Sequence, residues 1–219
     1  KDKIIMGAER RSMVMPEEER RNTAYHESGH AMVARLLPKT DPVHKVTIIP
    51  RGRALGVTMQ LPTEDRYSQD RVRLLNTITV LFGGRIAEEL FMHQMTTGMS
   101  DALGTMVYGE NEGEVFLGRS ITTHKNVSEA TLQKVDQEIR RIIDTQYKLA
   151  RTLLEGNRDK VEAMAKALLE LETLDAEQIN DIMAGKSPRP PKPSSSASKP
   201  SDGAANDGTQ GAAAPAPTA

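Results

Sequence analysis

The strongest constraint on the fold is the helical spacing of apolar residues in the C-terminal half of the chain. From Ser128, a good N-cap, to Gly156 nothing interrupts a helix. The apolar residues that recur at helical spacing are Leu132, Val135, Ile139, Ile142, Ile143, Leu149, Leu153 and Leu154. Asn157 can cap a further helix, and Asp175 with Gln178 has the spacing of a capping box. The sequence therefore predicts three consecutive helices in this half.

Two more helices are predicted in the N-terminal half. The first begins after Pro16 and ends before Pro38, with acidic residues in its first turn. The second is expected over residues 70–91. Inside it, Gly83 and Gly84 each cost about 1 kcal/mol relative to Ala, which predicts a close approach of another backbone.

Two β-like runs, residues 43–49 and 54–61, flank a turn at 50–53 and predict a hairpin. Aromatic residues make up 3% of the chain and Trp is absent, so the core is expected to be aliphatic and Met-rich. The predicted fold class is mostly α, with one small β-hairpin.

The last 35 residues differ in composition from the rest, because 25 of them are Pro, Ser, Gly or Ala. Such a segment buries too little apolar surface to offset its ordering entropy. The sequence predicts one folded domain at 1–184 and a disordered tail at 185–219, for which the role of a flexible spacer is expected.

Charge and cysteine content exclude several functions. The chain has 29 basic and 30 acidic residues, which argues against binding nucleic acid through bulk positive charge. It has no Cys, which excludes a disulfide scaffold, a Cys-based zinc finger and a thiol nucleophile. No apolar run approaches the length needed to span a bilayer. Because the chain begins at Lys1 rather than at Met, we expect it to be part of a longer polypeptide.

One motif carries chemistry: His26-Glu27-Ser28-Gly29-His30. In a helix, residues i and i+4 differ by about 40° around the axis, so both imidazoles face the same way and can reach one Zn²⁺. Glu27 beside them can take a proton from a metal-activated water. The motif predicts metal-assisted peptide hydrolysis. The alternative is an amphipathic helix with two ordinary histidines.

A catalytic zinc needs a third protein ligand. Val33 and Leu36 stand where the three-histidine pattern of metzincins requires Gly and His, so the third ligand must come from later in the chain. The candidates are Glu88, Glu89 and Asp101, with His44, His93 and His124 as weaker ones.

Several blocks extend beyond a generic zinc-protease motif. They are residues 6–12, 23–30, 41–56, 83–89 and 113–119. Together they resemble the peptidase domain of the FtsH family, which comprises ATP-dependent, membrane-anchored zinc metalloproteases with an AAA ATPase module ahead of the peptidase. The resemblance runs from about Lys1 to Gly185.

The resemblance implies a helical zincin-type peptidase domain in a homo-hexameric ring that degrades unfolded or membrane proteins in protein quality control. It implies that His26 and His30 are zinc ligands, that Glu27 is the general base, and that the strand near 56–58 is the edge where substrate binds. The sequence contains no Gly-x-x-x-x-Gly-Lys-[Ser/Thr] loop, so ATP would bind only in the absent ATPase module. Membrane attachment through absent N-terminal segments, at the bacterial inner membrane with the peptidase facing the cytoplasm, is also implied.

One departure from the family concerns the third ligand. The family has an Asp in a Thr-Gly-Ala-Ser-Asn-Asp segment, whereas here Thr97-Gly98 is followed at once by Met99-Ser100-Asp101. Aligned with the family, this string corresponds to residues roughly 20 positions later, so Asp101 is not expected to be the ligand. Either this sequence omits residues after Gly98, or the chain carries an internal deletion there and is catalytically impaired. The leading prediction is the peptidase module of an ATP-dependent endopeptidase. The alternative is a non-catalytic oligomerisation module that has lost its third zinc ligand, and a helical adaptor would leave the motif unused.

Overall fold

The structure, a computed structural model, describes residues 8–10, 15–52, 54–63, 68–92 and 128–191. These residues form five helices and three strands. In chain order they are α1 (Glu17–Leu36), β1 (Val43–Thr47), β2 (Val57–Gln60), α2 (Arg71–Met92), α3 (Glu129–Glu155), α4 (Arg158–Leu171), β3 (Thr173–Asp175) and α5 (Ala176–Met183). The predicted mostly helical class is confirmed. Within the described ranges, no helix combines the length and apolar character needed to cross a membrane.

The sheet is antiparallel, with strand order β2-β1-β3. The predicted β1–β2 hairpin is confirmed, and its register shifts between Val43 and Lys45. The sequence analysis missed β3, which pairs with β1 from Lys45 opposite Asp175 to Thr47 opposite Thr173. In the described part of the chain β2 therefore forms one edge of the sheet.

Helix α1 lies at the centre of the domain and contacts α2, α3, α4, β1 and β2. Its apolar residues Ala24, Ala31, Met32 and Val33 are completely buried, as are aliphatic residues of the elements around it. The fully buried side chains include Met32, Val33, Val46, Ile86, Leu154, Met164, Leu168, Leu174 and Ile179. The core is aliphatic and contains Met, as the composition predicts.

Helices α1 and α2 approach each other closely where they cross. A Cβ atom added to Gly83 would lie 2.6 Å from the carbonyl oxygen of Gly29 and 3.1 Å from a methyl group of Val33. A Cβ atom on Gly29 would in turn meet the carbonyl group of Gly83. This confirms the prediction that another backbone approaches the Gly83-Gly84 pair.

The predicted helix caps are confirmed at two of three positions. The Ser128 hydroxyl accepts a hydrogen bond from the Thr131 N–H, and Asp175 with Gln178 forms the capping box of α5. Asn157 precedes α4, but its side chain donates to the Leu153 carbonyl oxygen instead of capping the helix. The prediction of a side-chain cap at Asn157 was therefore wrong.

Of the predicted apolar stripe of α3, Leu154 alone is buried among the described residues, and Val135, Ile139 and Leu149 remain 47%, 41% and 38% exposed. The other buried residues of α3 are Gln146 and Ala150. Among the described residues, α3 thus packs through its second half, against α2 above all.

Residues 185–191, at the start of the predicted tail, fold back along α5. The Arg189 guanidinium donates to both carboxylate oxygens of Asp181, at 2.7 and 2.8 Å, and to Glu177 at 2.7 Å. The Gln178 amide donates to the Arg189 carbonyl oxygen at 2.9 Å. The hydrogen bonds from Arg189 lower the pKa of Asp181 to about 2. The chain thus leaves the domain alongside α5.

Replacing Gly83 by Ala should destabilise the domain by roughly 1–3 kcal/mol, because the new methyl group overlaps a backbone carbonyl that cannot move without separating the helices. Urea unfolding measures the change. Thr77→Ala, at an exposed position of the same helix, is the matched control and should be neutral or slightly stabilising. A Gly83→Ala protein as stable as the parent would contradict the packing argument.

Replacing Arg189 by Ala should raise the pKa of Asp181 from about 2 towards its ordinary value of 3.8. Because the pKa of Asp181 is depressed in the folded protein, this ion pair stabilises the fold at pH values above 3.8. The stabilisation is lost as the pH falls through about 2. An NMR titration of the Asp181 carboxyl carbon measures the shift. Arg141→Ala, which removes an exposed ion pair to Glu138 on α3, should leave Asp181 unchanged.

Candidate active site

Helix α1 directs both histidines of the motif to one place. His26 and His30 are four residues apart, and their Nε2 atoms lie 2.9 Å from each other. The space is provided by Gly84 of α2, where an added Cβ would lie 2.5 Å from Nε2 of His30 and 2.7 Å from Nε2 of His26. The structure thus brings the two imidazoles together at the point where α2 has no side chain.

Each imidazole is held through its other ring nitrogen. The His30 Nδ1–H donates to the Val80 carbonyl oxygen at 2.8 Å, and the His26 Nδ1–H donates to Glu88 at 2.6 Å. Because a carbonyl oxygen can only accept, Nδ1 of His30 carries the proton and Nε2 of the neutral ring has its lone pair available. The Gly84 N–H lies farther from the same Nδ1, at 3.3 Å, and does not change this assignment. Both rings therefore present Nε2 to the shared space.

The two histidines differ in their electrostatic surroundings. Burial, together with the charge of His26, lowers the pKa of His30 to about 4, so that ring is neutral at pH 7. Burial also lowers the pKa of His26, but the hydrogen bond and charge of Glu88, with a contribution from Glu27, outweigh burial and leave it raised.

Glu27 lies between α1 and strand β2. The Thr58 hydroxyl lies 2.6 Å from Oε2 of Glu27 and donates to this carboxylate. Gly56 packs directly against Glu27, since an added Cβ would lie 2.7 Å from its Cγ. Burial raises the pKa of Glu27, and the Thr58 hydrogen bond and the charge of His26 offset only part of that increase. A buried carboxylate with a raised pKa is suited to accept a proton.

The motif opens onto a cleft of about 440 Å³ between α1 and the segment before β2. Residues that line it include Glu19, Asn22, His26, Glu27, Leu55 and Glu88. Sequence reasoning missed Asn22 and the Val80 carbonyl as members of the site, and it placed Thr58 on the substrate edge without predicting its contact with Glu27. The position of Asn22, one helical turn before His26, was a signal that could have indicated it.

The other candidate ligands within the described residues do not contact the Nε2 atoms of His26 and His30. Glu88 contacts Nδ1 of His26, so it orients the ring from the side opposite the shared space. Glu89 faces α3, and its carboxylate accepts hydrogen bonds from Tyr147 of α3 at 2.5 Å and from Arg85 of α2 at 3.1 Å. His44 is exposed on β1. His93, Asp101 and His124 lie outside the described residues, as do 96–98.

The described residues fit part of a zinc site. The His30 Nε2 lone pair is available, and that of His26 becomes available when its ring loses the Nε2 proton that it donates across the 2.9 Å contact. Each ring is fixed through Nδ1, as in zinc-binding histidines. Within the described ranges, no group of three His, Cys, Asp or Glu side chains could hold a metal ion. These residues therefore provide two ligands and no third.

The sequence is similar to a known peptidase family and to named proteases. The sequence profile described as Peptidase family M41 matches residues 13–98 and 96–182. The chain is 60% identical over 212 residues to the ATP-dependent zinc metalloprotease FtsH of Cupriavidus metallidurans, covering 88% of this chain and 32% of that protein. It is 49% identical over 236 residues to the protein of the same name from Magnetococcus marinus, covering 96% of this chain and 35% of that protein.

The family profile matches this chain in two blocks, which meet at residues 96–98. The alignment with the Cupriavidus protein has 212 positions, more than the number of residues in 88% of this chain. Some aligned residues of that protein therefore have no counterpart in this chain. The chain spans about a third of the length of these relatives. A profile match over most of its length shows that the chain belongs to peptidase family M41, the family of the FtsH peptidase domain that its sequence resembles.

Proposed function

We propose that the chain is the zinc-dependent endopeptidase module of an ATP-dependent, processive protease that degrades unfolded or membrane proteins. The observation that carries the proposal is the convergence of His26 Nε2 and His30 Nε2, 2.9 Å apart, beside the buried carboxylate of Glu27 in an open cleft. His26 and His30 would hold the ion, and zinc held there would supply Lewis acidity for peptide-bond hydrolysis.

Glu27 is the general base in this proposal. It accepts a proton from the attacking water and transfers it to the leaving amine as the peptide bond breaks. The Thr58 hydroxyl bonds to Oε2 and holds the carboxylate in place, which supports Oε1 as the oxygen that takes the proton. Burial raises the pKa of Glu27, which makes its carboxylate a better proton acceptor.

The substrate is an extended polypeptide that adds to the sheet at β2. Strand β2 is an edge of the described sheet, and Thr58 connects it to Glu27. Main-chain pairing at a strand edge reads the peptide backbone rather than a particular side chain. This geometry supports broad selectivity for unfolded chains.

The wider assembly is proposed from the relatives, which are named ATP-dependent zinc metalloproteases. The proposed whole protein carries an ATPase module that binds ATP and delivers unfolded substrate. It forms a homo-hexamer and is anchored in the bacterial inner membrane, with the peptidase on the cytoplasmic side.

A second candidate function is a non-catalytic module that retains the scaffold of the ring. It is favoured by the lack of a third ligand among the described residues and by the division of the profile match at 96–98. Two imidazoles alone would hold zinc weakly and position it poorly against Glu27.

Zinc content and proteolysis distinguish the two candidates: activity regained on lengthening the chain supports the endopeptidase module, whereas no activity in either version supports the non-catalytic one. We expect the 219-residue chain, with excess zinc, to degrade unfolded casein at least about 100-fold more slowly than a version carrying the homologous segment of a relative after Gly98. The reason is that a small misplacement of the zinc ion strongly slows the reaction. Glu27→Gln in the lengthened version should retain zinc and lose activity. Equal activity with one tightly held zinc in the 219-residue chain would show that a residue already present supplies the third ligand.

Replacing Glu88 by Gln should weaken zinc binding about 10- to 100-fold, because the His26 ring loses the carboxylate that orients it and increases its basicity. Competition with a chromogenic chelator measures the affinity. Glu89→Gln is the matched control on the same helix, and it should weaken the α2–α3 contact while leaving zinc affinity unchanged. Equal effects of the two variants would contradict the role given to Glu88.

A further inference from the structure

A second pocket lies beyond the histidine motif, at the other end of β2. It has a volume of about 140 Å³, and the residues that line it include Lys39, Asp41, Gln60, Arg73, Val80 and Leu81. Residues 54–56, before β2, and Glu88 of α2 line the cleft, whereas Gln60 at the end of β2 and Val80 of α2 line the second pocket. The β2 segment and α2 therefore form walls of both cavities.

The face of α2 that touches the imidazoles continues into the second pocket. Leu81 and Val80 lie three and four positions before Gly84, so at about 100° per residue each points within about 60° of the direction of Gly84. The Val80 carbonyl oxygen also accepts the hydrogen bond from Nδ1 of His30 at 2.8 Å. The second pocket therefore adjoins the group that orients His30.

The charged side chains of the second pocket are already paired. The Arg73 guanidinium donates to Oδ1 of Asp41 through both Nη1 and Nη2 at 3.1 Å. Nζ of Lys39 donates to Asp70 at 2.8 Å. A charged substrate side chain would therefore have to compete with an ion pair that the protein has already formed.

Leu81 gives the second pocket an apolar surface that a ligand can reach. Its side chain is 67% exposed, the highest value for a large apolar residue in the described part of the chain. Covering it with an aliphatic group is favourable in proportion to the apolar area removed from water. At roughly 30 Å³ for a water-sized group, the pocket has room for about the four carbon atoms of a Leu side chain.

The position of the second pocket along β2 indicates which part of a substrate reaches it. Thr58, which bonds to Glu27, and Gln60 are two residues apart on β2, so their side chains face the same side of the sheet about 6.6 Å apart. A polypeptide extended along the β2 edge from the cleft past Glu27 therefore has a residue beside the second pocket about two positions after the one beside Thr58.

We propose that the second pocket is a substrate side-chain site that accepts an aliphatic side chain of about the size of Leu, about two residues along the bound polypeptide from the one beside Thr58. Leu81 is its specificity-determining residue. The inference rests on the proposed function and deepens it, since it adds a side-chain preference to main-chain pairing with β2. The substrate then extends from the cleft, past Glu27, to the second pocket.

A double-mutant cycle between protein and ligand tests the inference. The protein is the 219-residue chain in EDTA, so that binding is measured without turnover. The ligands are a fluorescein-labelled, Leu-rich extended peptide and a set of analogues, each with one Leu replaced by Ala or by Glu. Fluorescence anisotropy gives the affinities. Leu81→Ala shortens the apolar side chain, and Leu81→Lys replaces it with a positive charge.

Leu81→Ala should weaken binding of the Leu-rich peptide about 3- to 10-fold, because an aliphatic contact is lost. Ala at one peptide position should weaken binding to the Leu81 protein by a similar factor and should cause no further loss with Leu81→Ala. Glu at that position should bind Leu81→Lys at least about 3-fold more tightly than it binds the Leu81 protein, which a purely structural role would not produce. Leu74→Ala, at an exposed position of α2 outside the second pocket, is the control and should leave affinity unchanged.

Three outcomes would overturn the inference. Unchanged binding of every peptide by Leu81→Ala and Leu81→Lys would show that the second pocket takes no substrate side chain. Equal losses for every analogue would show that Leu81 acts on folding or on cleft shape. A change in oligomeric state by sedimentation velocity, shared with Leu74→Ala and without a change in peptide selectivity, would assign Leu81 to a contact between copies of the chain. If the Leu-rich peptide binds none of the proteins, the proposed substrate cleft fails as well, and that result is distinct from binding that is independent of Leu81.

Discussion

The contact on which the site depends is the close approach of α1 and α2. Where the two backbones meet, a Cβ on Gly83 would lie 2.6 Å from the carbonyl oxygen of Gly29. The next residue, Gly84, also has no side chain, and at this close approach it lies against the two imidazole rings. The same spacing brings the Val80 carbonyl and Glu88 to the ring Nδ1 atoms. A wider crossing would remove the groups that orient both histidines.

Helix α2 uses two consecutive acidic residues for different purposes. Glu88 and Glu89 differ by about 100° around the helix, so one faces α1 and the other faces α3. Glu88 fixes His26, and Glu89 binds Tyr147 and Arg85. The two neighbouring carboxylates thus make separate contacts, one to the histidine motif and one to α3.

Local signals predicted the helices well and the sheet less well. Helix α1 begins after Pro16, and the cap at Ser128 and the capping box at Asp175 are present, because such signals act within one turn. Strand β3 was missed because it has three residues and exists only through pairing with β1, where the Thr47 and Thr173 hydroxyls meet across 126 residues of sequence. Glu88 was predicted as a candidate ligand, but in the packed pair of α1 and α2 it is a hydrogen-bond partner of His26 Nδ1.

The sequence by itself determined that His26 and His30 share one face of a helix with Glu27 beside them, because i and i+4 spacing is a property of the helix alone. Only the tertiary structure decided which groups surround the motif. Thr58 and Gly56 reach Glu27 from the sheet, and Glu88 reaches His26 from α2. These contacts join residues far apart in the chain, and their distances are set by how helices and sheet pack around the glycines of the α1–α2 crossing.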